Sequence, residues 1–137
     1  MSRSPVAAGL FYPADPDELR DLVDGLLDEV GRRPAQDVKG VIAPHAGYAY
    51  SGPVAASAFA ILPEVERVVL LGPSHFVPLA GLAVTGAKAW STPLGDVRVN
   101  SSLRKAAVAA GAFVDEEPHA RDHALEVELP FLQRTCP

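Results

Sequence analysis

The sequence is poor in the features that would assign a function class at once. It has a single cysteine, Cys136, so no intrachain disulfide can form, a usage that suits a reducing cytoplasm. It has no basic excess. Twelve Lys and Arg stand against seventeen Asp and Glu, for a formal net charge of −5, which argues against a broad nucleic-acid face and against a polybasic membrane patch. No apolar run approaches the roughly eighteen residues of a membrane span. The opening MSRSPVAAGLFYPADP is broken by Pro5 and Pro13 and does not read as a signal peptide. There is no G-x-S-x-G elbow and no Rossmann or Walker glycine pattern. Internal repeats are also missing. What remains is a 137-residue chain, 48% hydrophobic and 21% charged, long enough for one domain with a sizeable core.

The periodicity predicts an α/β fold. Asp15 is a good N-cap, Pro16 fits the first helical position, and apolar residues at Leu19, Leu22, Val23, Leu26, Leu27 and Val30 form one stripe of a helix that stops at Gly31. Val38 to Ala43 reads as a short buried strand and Val65 to Leu71 as a second. The continuous run Val68-Val69-Leu70-Leu71 suits a strand covered on both faces. A helix from about Pro53 to Leu62, rich in alanine, would join them as a right-handed βαβ unit with the two strands adjacent and parallel. Further on, Leu82 to Thr85 is a candidate strand, and Val97 to Val99 can pair back across a turn at Thr92 to Asp96. Asn100 or Ser101 caps a third helix that stops at Gly111. Phe113 to Arg121 reads as an acidic loop. From Asp122 the chain looks helical until Pro130 kinks or ends it.

Both expected strands end in histidine-bearing turns, Ala43-Pro44-His45-Ala46-Gly47-Tyr48 and Gly72-Pro73-Ser74-His75. In an open parallel sheet ligands bind beyond the carboxyl ends of the strands. His45 and His75 therefore face one crevice if the strands are neighbours, and two neutral imidazoles are half of a metal site. Each could equally cap its turn through a backbone hydrogen bond. His123 and Glu126 have the spacing of one helical face, which suits metal binding or acid–base work; a solvated helix start, with Asp122 and Glu126 answering the helix dipole, is the plainer alternative. Tyr48 and Tyr50 either line the pocket or pack as half-buried rings. Ser74 lies beside His75 without a hydrolase elbow around it. Phe11, Tyr12 and Trp90 read as packing residues, His119 as exposed, and Cys136 as having no metal or redox partner.

The strings PVAAGLFYP, VIAPHAGYAYSGPVAASAF, VVLLGPSHFVPL, STPLGDVRV and DHALEVELPFL occur in that order. Over nearly the whole chain they resemble the Memo family, called AmmeMemoRadiSam system protein B in bacteria and archaea. The resemblance implies a parallel-core sheet with flanking helices, similar to class III extradiol dioxygenases of the LigB type, here truncated to about half the domain. It implies a metal pocket for iron or copper. The family's first ligand histidine, in APHAGY, falls on His45, and its second, in GPSH, on His75. Its pocket histidine in E-H-S-x-E falls on His123 and the glutamate of that segment on Glu126; Asp122 and Ala124 replace the usual acidic and serine neighbours. Family members are about twice this long, and their second half brings an S-D-F-x-H-type turn and a cysteine that is the third metal ligand. Cys136 lies in the wrong segment to be that cysteine.

Two functions follow from the resemblance. One is a metal-dependent redox or oxygen-handling enzyme, with metal at His45 and His75, His123 and Glu126 as catalytic groups, and Tyr48 and Ser74 at the pocket. The other is a non-catalytic module that binds a phosphopeptide or partner protein in the same crevice. A cytoplasmic protein without nucleic-acid or membrane partners is expected, and an unpaired strand edge could support a homo-oligomer.

Overall fold

The computed structural model describes residues 1–136. It is a mixed α/β structure whose core gathers around two long helices and the last helix of the chain. Helix α1 (Pro16–Val30) begins where Asp15 accepts hydrogen bonds from the backbone N–H groups of Asp17 and Glu18, and it ends at Gly31, whose φ of 76° closes the last turn onto Leu27 and Asp28. Its buried face is Leu19, Val23 and Leu27, as the stripe requires. Helix α2 (Tyr48–Phe59) starts five residues earlier than expected. The Tyr48 N–H is held by the Phe11 carbonyl, its ring is buried, and Pro53 is absorbed inside the helix at the loss of one backbone bond. Gly52 favours close packing of α2 on α1: a Cβ there would come within 2.9 Å of Leu26 Cδ1, and that side chain would have to shift.

The strands are short. β1 (Ser2–Arg3) pairs in parallel with β3 (Ala89–Thr92), which forms an antiparallel hairpin with β4 (Gly95–Arg98). β2 (Ala83–Val84) pairs in parallel with β5 (Phe113–Val114). Helix α3 (Ser101–Ala109) follows β4 and precedes β5, capped by the Asn100 side chain. A short α4 (Glu117–Ala120) follows, then a 3₁₀ turn (Glu126–Glu128) that runs into α5 (Leu129–Thr135). Pro130 sits in the first turn of α5, where its missing N–H costs nothing, so it opens this helix rather than ending one. Phe131 of α5 stacks on Phe59 at 5.2 Å and meets Tyr48 at 5.0 Å, which joins α2 and α5 in one core.

The expected parallel-core sheet is not formed. Residues 38–43 and 65–71 belong to neither sheet, and no ladder hydrogen bond links them among the described residues. Their apolar runs signal burial, but a central strand needs hydrogen-bonded neighbours at its edges and layers over both faces, and these segments pair with no strand among the described residues. Ile42 is 99% exposed, Val69 71% and Leu71 78%. Beside 65–70 lies an open apolar cleft of about 660 Å3, bounded by Val68, Val84, Val97, Leu103, Leu125 and Leu129 among others. The chain nevertheless brings the ends of the two segments together, and that is what positions the histidines. No helix is long and apolar enough to cross a membrane among the described residues.

Candidate metal centre

Three histidines converge. The His45 ring lies 5.3 Å from His75 and 6.0 Å from His123, centroid to centroid, and His75 lies 4.7 Å from His123. His45 and His75 arrive from the turns that end residues 38–43 and 65–71. His123 arrives from the turn at 122–125, between α4 and the 3₁₀ turn. A ring nitrogen's lone pair lies in the plane of its ring. His75 and His123 are nearly parallel, 11° apart and stacked, so their lone pairs do not converge as the rings stand. His45 is tilted 52° to His75 and 45° to His123, an arrangement in which two in-plane lone pairs can meet at a point. The opposite face of His123 stacks on Phe11 at 4.0 Å. Phe11, read from the sequence as mere packing, thus fixes a pocket histidine; nothing in its sequence context marks that role.

Asp122 supplies the carboxylate of the site. Its oxygens accept the His75 backbone N–H at 2.6 Å and the Ala124 N–H at 2.9 Å, and they lie 3.1 and 3.2 Å from His75 Nδ1. Burial works to raise its pKa, but the two backbone N–H groups and the His75 ring outweigh it and hold the carboxyl below its ordinary range. Burial, then the neighbouring His75, lowers the pKa of His123. Ligand atoms of His75, Asp122 and His123 all lie within 4.8 Å of one another. Imidazole nitrogens suit a divalent transition metal, and a carboxylate hydrogen-bonded behind a histidine suits the orienting of a ligand, so the residues present fit the group that the sequence resemblance implies.

The remaining candidates are placed differently. His123 and Glu126 do not share a helical face, because 122–125 is a turn and Glu126 begins the 3₁₀ segment. Glu126 points into the interior, fully buried. It pairs with Arg3 at 2.6 Å, accepts Tyr12 Oη–H at 2.7 Å, and takes the N–H groups of Val6 and Ala7. The Tyr48 hydroxyl donates to the Val127 carbonyl at 2.6 Å, and Ser74 Oγ donates to the Val77 carbonyl at 2.6 Å, so both hydroxyls serve backbone. Tyr50 is exposed. His119, expected to be exposed, is buried at 8%, with its ring edge-on to Trp90, its carbonyl accepting from Arg3 Nε at 2.8 Å, and its Nε2 without a partner among the described residues. The acidic stretch around it forms β5 and α4 rather than a plain loop, and although most of it is exposed, Pro118 and His119 are turned inward.

The sequence model of a family described as "Memo-like protein" matches residues 3–137. The chain belongs to the Memo family. Its Memo relatives include a MEMO1 family protein of Methanopyrus kandleri, 44% identical over 97% of this chain and 52% of that protein. Others are found in Methanosarcina barkeri, 41% identical over 96% of this chain and 49% of the relative, and in Aquifex aeolicus, 42% identical over the same two shares. The chain spans about half the length of these curated relatives. The histidine turns that carry the Memo resemblance are the ones that meet in the pocket.

Proposed function

We propose that this Memo-family chain carries the histidine half of a metal pocket with a redox or oxygen-handling role, His45 and His75 being the ligands for iron or copper. The convergence of the two tilted rings at 5.3 Å, brought from distant turns, carries this reading. A bound iron or copper would supply redox chemistry and open positions for substrate. The chain's own residues hold and shape the pocket. His45 and His75 present ring nitrogens. His123, clamped between Phe11 and His75 and held toward its neutral form, offers a ring that can take up or return a proton beside the ligands. Glu126, whose acceptor positions are filled by Arg3, Tyr12, Val6 and Ala7, anchors the turn that bears His123 and takes no part in proton transfer.

The test is metal analysis of protein purified without chelator, followed by iron(II) and copper titration of wild type, His45→Ala and His75→Ala. Each substitution is expected to weaken binding by tenfold or more, since a divalent ion loses one of few protein ligands. Unchanged binding in both variants defeats the site. A metal-free protein that retains a phosphotyrosine peptide would favour the binding-module reading.

A further inference from the structure

We infer that Asp122 is the positioning residue of the pocket: by accepting the Nδ1–H of His75 it fixes that ring's tautomer and reserves Nε2 as the ligating nitrogen. The inference rests on the metal reading above and deepens it. A carboxylate offers acceptors only, so a ring nitrogen beside it is the donor. Neutral imidazole has one N–H; with that hydrogen on Nδ1, the lone pair belongs to Nε2. The same carboxylate is tied down from two other directions. Its bond from the His75 backbone N–H fixes the turn that carries the ring, and its bond from the Ala124 N–H closes its own turn. The carbonyl of Asp122 in turn accepts from Arg3 Nη2 at 2.8 Å, so the peptide that bears the carboxylate is itself braced.

Asp122 could instead be read as a third ligand, because its oxygens lie among the clustered donor atoms. The hydrogen bonds favour the positioning role. Three donors take three of the roughly four acceptor positions on its two oxygens, two of them from His75 itself, and the residue is buried. The carboxylate is thus engaged with the histidine rather than open toward an ion. Hydrogen-bonded carboxylates behind ligating histidines commonly set the ring's orientation and basicity, and their loss weakens metal binding about 10- to 100-fold.

The experiment uses the 137-residue chain and zinc(II), a diamagnetic probe. Long-range 15N–1H correlation of the metal-free wild type should show His75 as the Nδ1–H tautomer, and on zinc loading the Nδ1–H should persist while the Nε2 resonance moves. Asp122→Asn should lose the pure Nδ1–H signature and bind zinc about 10- to 100-fold more weakly. Asp122→Glu should restore the tautomer and part of the affinity, which a merely structural loss would not predict. An Nε2–H tautomer in the wild type, or loss of Nδ1–H on zinc binding, overturns the proposal. So does wild-type affinity in Asp122→Asn. If the tautomer is as stated and zinc does not bind, the metal reading fails while the positioning of His75 stands. If Asp122→Asn does not fold, the wild-type tautomer and the Asp122→Glu variant still decide.

Discussion

Asp122 and Glu126 are carboxylates on one short stretch of chain, and they meet opposite surroundings. Glu126 is sealed in the interior with a guanidinium, a phenol and two backbone N–H groups. Asp122 sits at the pocket edge, where its partners are a turn and an imidazole ring. Arg3 serves both, since it pairs with Glu126 and donates to the carbonyls of Asp122 and His119 while its guanidinium lies 4.1 Å over the Trp90 ring. The N-terminal strand is thus bolted to residues 119–126. The contrast is a division of labour: one carboxylate holds the frame, and the other ties down a histidine at the pocket edge.

The sharpest way to break that contrast is Glu126→Ala. It leaves the buried Arg3 without its counterion and frees two backbone N–H groups, a loss of about 3–5 kcal/mol. Set against a usual domain stability of roughly 5–15 kcal/mol, this is a large share of the total. Urea denaturation should show it, whereas His75→Ala, at the half-exposed pocket, should move the midpoint far less. Equal losses from the two would dissolve the distinction between frame and site.

The next effect is a pH dependence inside the frame. Burial pushes the Glu128 carboxyl up to about 7, and its Oε2 has no partner among the described residues. A carboxyl raised in the folded state contributes stability that is present below its unfolded pKa and is lost as pH rises through 7. Burial lowers the pKa of His119, which works the other way: its contribution is present above the ordinary histidine range and is lost as pH falls below it. Glu128→Gln should therefore flatten the decline in melting temperature between about pH 4.5 and 7 (the span from its ordinary to its folded pKa), with a gain of roughly 2 kcal/mol above pH 7. An unchanged decline would show that Glu128 is not its source.

Much of this was legible in the sequence where local chemistry decides. The cap at Asp15, the stripe of α1, the stop at Gly31 and the hairpin turn near Gly95 are all where residue type alone puts them. The two histidine turns meet as expected, although the paired strands on which that expectation rested are not formed. What could not be read depended on distant partners. The role of Glu126 is set by Arg3, more than a hundred residues away, and no spacing within DHALEVE reveals it. His119 sits in a polar stretch, yet β1 and Trp90 cover it. The runs at 38–43 and 65–71 have the composition of central strands, but composition cannot supply the neighbours a ladder needs.

Those runs set the smallest effect on stability and the clearest contrast with the sealed frame. Val69, which lines the apolar cleft, and Leu71, just past it in sequence, are largely exposed, so replacing them removes little packing. Val69→Lys with Leu71→Lys should change the unfolding free energy by no more than about 0.5 kcal/mol, as surface substitutions do. Association should respond instead. Contiguous apolar patches of several hundred Å2 and strand-like segments without partners favour pairing with another chain. Sedimentation velocity over rising concentration should show the wild type self-associating and the double variant shifted to monomer. A wild type that stays monomeric throughout would mean that this face needs no cover. A double variant that lost the roughly 2–5 kcal/mol typical of core truncations would place Val69 and Leu71 inside the packed core, and the two regions would then be one.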